Sequence, residues 1–256
     1  MAGFSQAYVI DAVRTAVGKR NGSLGGVHPV DLGAAGWRGL LDRVDIDPGA
    51  VDDVIAGCVD AIGGQAGNIA RLSWLAAGYP EEVPGVTVDR QCGSSQQAIS
   101  FGAQAIMSGT ADLIVAGGMQ NMSQIPISSA MIVGEQFGFT SPTNESKSWL
   151  HRYGDQEISQ FRGSELIAEK WNISREEMEE YSLASHQRAQ EAIRSGYFDL
   201  TWDSWSPVGS SVMKSSFPLI TSCVIFVTLD LITVILSTLP FGIPGRLNLG
   251  YFVSVN

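Results

Sequence analysis

Cysteine is scarce in this chain: Cys58, Cys92 and Cys223 are the three among 256 residues. So small and odd a number leaves no room for a disulfide framework and suits a reducing compartment, so the expected location is cytoplasmic. Basic residues are also few, 16 against 26 acidic ones, for a formal net charge of −10. That balance excludes nucleic-acid binding driven by phosphate neutralisation. The opening MAGFSQAYVIDAVRT has neither a basic stretch nor an apolar run, so it does not read as a secretory signal. Heptads, tandem repeats and low-complexity tracts are absent. Neither G-x-G-x-x-G nor G-x-x-x-x-G-K-[ST] occurs, and Gly63-Gly64-Gln65-Ala66-Gly67 reads as turn chemistry. His28, His151 and His186 lack partners at metal-ligand spacing, so no metal site is assigned.

What is present begins with alternation. Residues 7–13, 54–59, 85–88 and 112–116 read as strands, the last followed by Gly117-Gly118. Between them, residues 31–44 and 68–77 read as helices, the first with Leu32, Ala35, Leu40 and Val44 on one face. Such a pattern indicates an α/β fold with a mixed, largely parallel sheet covered by helices on both faces.

Cys92 falls at a seam in this pattern. Val86, Thr87 and Val88 end a strand, and Ile99, Ala103 and Ile106 recur at helical spacing up to Gly109. Ala98, Phe101 and Ala105 fill the neighbouring stripe, so the helix is expected to be apolar nearly all round and buried. A sulfur beside a helix N-terminus meets unpaired N–H groups and the positive dipole end, which favour thiolate over thiol. A buried cysteine is more often a small hydrophobe without chemistry. Against that stands the seam itself, because sites in α/β sheets gather at the carboxyl ends of strands.

Beyond residue 118 the periodicity weakens. From Met119 to about Ser159 the chain is rich in Ser, Gly, Pro, Met and aromatics and reads as a long loop covering a site. Order returns at Ser174-Arg175-Glu176-Glu177, a capping box opening a helix that runs to about Arg194 and stops at Gly196. The tail differs again. Beyond residue 203 the only charged residues are Lys214, Asp230 and Arg246, and residues 219–239 are nearly all apolar or Ser/Thr. A membrane span has the length but carries Asp230 at its centre, whereas a pair of buried strands suits the Val, Ile and Thr content.

Five segments, in order, resemble the amino-terminal half of a thiolase (acetyl-CoA acyltransferase). They are Tyr8-Val9-Ile10-Asp11-Ala12-Val13-Arg14-Thr15-Ala16 with Gly18-Lys19; Gly67-Asn68-Ile69-Ala70-Arg71; and Cys92-Gly93-Ser94-Ser95-Gln96-Gln97-Ala98-Ile99. Gly117-Gly118-Met119-Gln120-Asn121-Met122-Ser123 follows, and then Ile173-Ser174-Arg175-Glu176-Glu177 with Ser185-His186-Gln187-Arg188-Ala189. The resemblance covers residues 1 to about 203. It implies that Cys92 attacks an acyl thioester to form an acyl-enzyme, with its backbone N–H as a donor to the developing oxyanion. It implies acyl-CoA or CoA as the substrate partner, no separate cofactor, and a homo-oligomer or a full-length thiolase subunit as protein partner. Gln160-Phe161-Arg162-Gly163-Ser164-Glu165 departs from the commoner Met-Gly-x-Thr-Ala-Glu and looks more like thiolases of steroid side-chain breakdown.

The family's second half is not found. It would supply an Asn-Glu-Ala segment, a Gly-His-Pro loop whose histidine activates the nucleophile, and a Cys-x-Gly-Gly-Gly loop that moves the proton. Cys223 has no glycines after it and no histidine follows His186. The expectation is therefore a nucleophile half-domain at 1–118, a loop and cap region at 119–203, and a non-family apolar tail at 204–256. A shifted or mis-joined reading frame is the favoured origin of that tail. The chain is expected to be a truncated acyltransferase, inactive or weakly active, or a catalytically dead partner subunit. Attachment to a membrane through 219–239 is the weaker alternative.

Overall fold

The computed structural model describes residues 6–196 and the backbone of Thr233–Ser237. Two compact units are present, one within residues 1–130 that also takes in Thr233–Ser237, the other within residues 131–200.

The first unit is built on one sheet. Its strands are β1 (Tyr8–Val13), β2 (Asp53–Gly57), β3 (Gly85–Val88), β4 (Leu113–Gly118) and β5 (Thr233–Ser237), in the order β1-β5-β4-β2-β3. β2 lies parallel to both β3 and β4, with Gly57 opposite Val88 on one side and Gly118 on the other. β5 runs antiparallel between β4 and β1, pairing Ile114 with Leu236 and Val9 also with Leu236. The sheet is thus mixed and largely parallel, as the alternation of elements requires. Five tail residues form a strand, so residues 219–239 are not one continuous helix. The rest of that segment lies outside the described residues, as do Cys223 and the remainder of the tail.

Each face of the sheet carries its own core. On one face lie α1 (Pro29–Val44) and α2 (Ile69–Ala76), which bury Trp37, Leu40 and Trp74 against Val13, Val54 and Val115. Burying two indoles requires partners for their N–H groups. Trp37 Nε1 donates to Ser73 Oγ at 2.6 Å, and Trp74 Nε1 donates to the Pro80 carbonyl at 3.1 Å. Arg43, in the last turn of α1, grips Asp11 on β1 with Nε to Oδ2 at 2.7 Å and Nη2 to Oδ1 at 3.2 Å. On the other face lies α3 (Ser94–Ser108), packing Ala98, Ala103 and Ile106 against Ile55, Ile114 and Ala116.

Two sequence expectations need correction here, and one helix is unexpected. α3 is not buried all round: Phe101 is 40% and Met107 38% exposed, because the sheet covers only one side of the helix. β2 stops at Gly57 and not at residue 59: the Val59 N–H donates to Gln120 Oε1 at 3.3 Å and not to a strand, and Asp60 then turns the chain with a left-handed φ of 56°. A helix in the second unit, Gln160–Trp171, goes unrecognised in the sequence reading. Its signals were there: Ser159 caps it by accepting from the Arg162 N–H, and Asn172 ends it with φ 51°.

The second unit contains short helical pieces, Lys147–Tyr153 among them, then Gln160–Trp171 and Arg175–Arg194. The capping box at Ser174 is formed, with Glu177 N–H to Ser174 Oγ at 3.1 Å and Ser174 N–H to Glu177 Oε2 at 2.8 Å. None of residues 131–196 is buried.

Candidate active site

The turn that carries Cys92 is fixed from both ends. Asp89 Oδ1 accepts from the Gln91 N–H at 2.7 Å, in an Asx turn that helps hold Gln91 at a φ of 49°. At the other end, fully buried Ser94 accepts from the Arg90 N–H at 2.9 Å and donates to the Gln91 carbonyl at 2.5 Å. Backbone bonds from Gly93 to Arg90 and from Ser94 to Gln91, both 3.1 Å, close the loop. Gly93 is the N-cap of α3, which places Cys92 one residue before the cap and partly exposed. The sequence reading of a cysteine at a strand-to-helix seam agrees with this geometry.

Two glycines let the seam sit where it does. A Cβ on Gly57 would stand 2.3 Å from both the Ser94 carbonyl carbon and the Ser95 nitrogen. One on Gly118 would stand 2.6 Å from Ser95 Cβ and 2.9 Å from the Gly57 oxygen. The first turn of α3 therefore rests directly on the carboxyl ends of β2 and β4. No larger residue allows the helix, and with it Cys92, to come so close.

Beneath this lies a buried amide network that sequence reasoning did not assign. Gln65 donates Nε2 to the carbonyls of Val59 at 3.2 Å and Asp60 at 2.9 Å, and its Oε1 accepts from the Asn121 N–H at 2.8 Å. Asn121 Nδ2 donates to the carbonyls of Leu24 and Gly25 at 3.2 Å and of Val27 at 2.8 Å. Asp60 receives the Ser128 N–H at 2.9 Å and the Ala130 N–H at 2.8 Å. These side chains replace strand pairing where the sheet ends and the loops begin. Gly63 and Gly67, read as turn residues, have φ of 52° and 74° on either side of Gln65. The one signal that could have pointed to Gln65 was its place between those two turn glycines; its burial shows only in the structure.

The other candidate residues are placed as follows. Cys58 is fully buried and its Sγ lies 3.4 Å from the Val59 carbonyl; burial first, then Asp89 and Asp60, push its thiol up to about 12. It does not share the exposed seam of Cys92. His28 caps α1, its Nδ1 accepting from the Val30 N–H at 3.3 Å. His151 and His186 lie on helices of the second unit. Among the described residues no group of three or more His, Cys, Asp or Glu side chains could hold a metal ion. Among the same residues no helix is long and apolar enough to cross a membrane.

The described residues thus define a two-faced α/β sheet with a partly exposed cysteine at the foot of a helix. The same architecture is found in the crystal structure of the Bacillus anthracis acetyl-CoA acetyltransferase, with a TM-score of 0.65 at 25% identity, covering 93% of this chain and 66% of that one. Residues 7–202 match the family described as Thiolase, N-terminal domain, and the chain belongs to the thiolase family. It is 88% identical over 195 residues to the Steroid 3-ketoacyl-CoA thiolase FadA6 of Mycobacterium tuberculosis, covering 76% of this chain and 48% of that protein. It is 38% identical over 201 residues to the Beta-ketoadipyl-CoA thiolase of Acinetobacter baylyi, covering 75% of this chain and 49% of the relative. The chain spans about half the length of the curated relatives it matches.

Proposed function

We propose that this chain is the nucleophile-bearing half of a thiolase-type acyltransferase and that Cys92 accepts an acyl group from a CoA thioester. The thiolate attacks the thioester carbonyl, the carbon–sulfur bond to CoA breaks, and CoA leaves as a thiol after taking a proton. One thioester replaces another, so the step is close to balanced and runs both ways. The observation that carries this reading is the doubly pinned turn that holds Cys92, partly exposed, one residue before the cap of α3. The name of the relative at 88% identity supports a 3-ketoacyl-CoA with a steroid-derived acyl group as the substrate class.

Turnover is a separate matter. Family likeness assigns proton transfer to a histidine loop and a second cysteine loop, and neither motif occurs in these 256 residues. Each missing acid–base group removes about 10²–10⁴-fold in rate. The expected behaviour is slow acylation of Cys92 without steady thiolysis. Incubation with acetyl-CoA and intact-mass analysis should show one added acetyl group, mapped by peptide sequencing to Cys92 and absent from Cys92→Ala. Acetylation elsewhere, or an equal adduct on Cys92→Ala, defeats the assignment. Thiolysis of acetoacetyl-CoA at ordinary enzyme rates overturns the half-enzyme reading.

A second reading, a partner subunit, is favoured by the second unit. Phe161 is 84%, Phe137 72% and Ile193 65% exposed there, a density of bare apolar side chains usual for surfaces that pack against protein. Co-purification with a full-length thiolase subunit tests it, and failure to associate at micromolar concentration ends it.

A further inference from the structure

The first unit contains a cavity of about 440 Å³ between the segment after β1 and the segment after β4. That volume is ordinary for a small-molecule site. Cys92 and its turn form no part of the wall. The interior is apolar, with Ala16, Leu24 and Leu32, while Val17, Met122 and Ile127 line it with 50%, 41% and 52% of their surface exposed.

Two further features say what such a space would take. Lys19 and Arg20 also line the cavity, both exposed, and no carboxylate does. Among the described residues neither cation forms an ion pair. In a chain of net charge −10 this is a local reversal of sign. The second feature is Gln120, only 9% exposed on the cavity wall. Its Oε1 accepts from the Val59 N–H at 3.3 Å, which orients the amide. Its buried Nε2 has no hydrogen-bond partner among the described residues. A buried donor without an acceptor is unfavourable, and a small shift of the Gln120 side chain toward the cavity would let a ligand oxygen satisfy it.

We propose that this cavity binds an amphipathic carboxylic acid. The apolar body lies on Ala16, Leu24 and Leu32, the carboxylate meets Lys19 and Arg20, and an inner hydroxyl or carbonyl oxygen accepts from Gln120 Nε2. Inorganic anions alone gain nothing from the apolar interior, and a neutral chain gains nothing from the two cations. The inference does not depend on acyl transfer at Cys92.

Isothermal titration of the full chain tests it with decanoate, ω-hydroxydecanoate, decanol and inorganic phosphate. Decanoate should bind at one saturable site and ω-hydroxydecanoate more tightly. Decanol should bind about tenfold more weakly than decanoate, since two exposed charge contacts at up to about 1 kcal/mol each amount to that factor or somewhat more. Lys19→Ala with Arg20→Ala should weaken decanoate about tenfold, a factor that two such contacts supply. Both side chains are exposed, so folding is expected to survive. Gln120→Met should remove the advantage of the ω-hydroxyl, and Arg175→Ala in the second unit should leave decanoate binding unchanged. Equal affinity for decanol, displacement by phosphate, uptake without saturation, or decanoate binding indifferent to the Lys19/Arg20 pair would each overturn the proposal.

Discussion

Replacing Gly57 by alanine isolates the contact on which the seam depends. The new methyl would begin 2.3 Å from the Ser94 carbonyl carbon and the Ser95 nitrogen and 2.7 Å from the Ser94 oxygen. Ordinary contact begins near 3.4 Å, so the first turn of α3 must retreat by about 1 Å. No side chain can swing aside, because every atom met is backbone. Overpacking of this kind costs about 1–3 kcal/mol, and rigid backbone on both sides puts Gly57→Ala near the upper end. With a urea m-value of about 1–3 kcal/mol per molar, the midpoint should fall by about 1 M or more. A displacement of about 1 Å at a nucleophile also carries about a 10²-fold rate penalty, so acetylation of Cys92 should slow in parallel. Gly118→Ala should lie between, since its tightest contact is the Ser95 side chain at 2.6 Å, and Ser95→Gly should partly rescue it. That same rescue should fail for Gly57→Ala. Gly26 has nothing within 4 Å of an added Cβ, so Gly26→Ala is the reference, within about 0.5 kcal/mol of the parent. A Gly57→Ala midpoint equal to that of Gly26→Ala would refute the reasoning.

Two further outcomes are expected. Removing residues 204–256 takes away β5, the strand with which β1 pairs and which separates it from β4, so β1 amides should lose hydrogen-exchange protection and solubility should fall; equal solubility and protection would deny the tail a structural role. Burial raises the Cys58 thiol from 9.0 to about 12 in the folded chain, so its contribution to stability is complete below about pH 9 and is lost as pH rises toward about 12. The slope should approach about 1.4 kcal/mol per pH unit and disappear from urea midpoints of Cys58→Ala until Tyr79, whose hydroxyl is also raised to about 12 from 10.0, begins to contribute. A Cys58→Ala chain with the parent's slope just above pH 9 would count against it.

The sequence alone determined the elements whose signals are local. Hydrophobic period placed β1, β3, β4, α1 and α2 to within one or two residues, and the Ser174 capping box marked the last helix because both of its bonds join residues three apart. Cys92 was legible for the same reason, as a break between two periodicities. Only the tertiary structure decided what depends on distant parts of the chain meeting. It put five tail residues between β1 and β4, joined Gln65 to Asn121 and Asn121 to the loop at Leu24, and set Gly57 and Gly118 under Ser94 and Ser95. It also left one side of α3 bare, although that helix looks apolar all round in sequence. Periodicity reports which residues are apolar, whereas burial depends on what arrives from elsewhere to cover them.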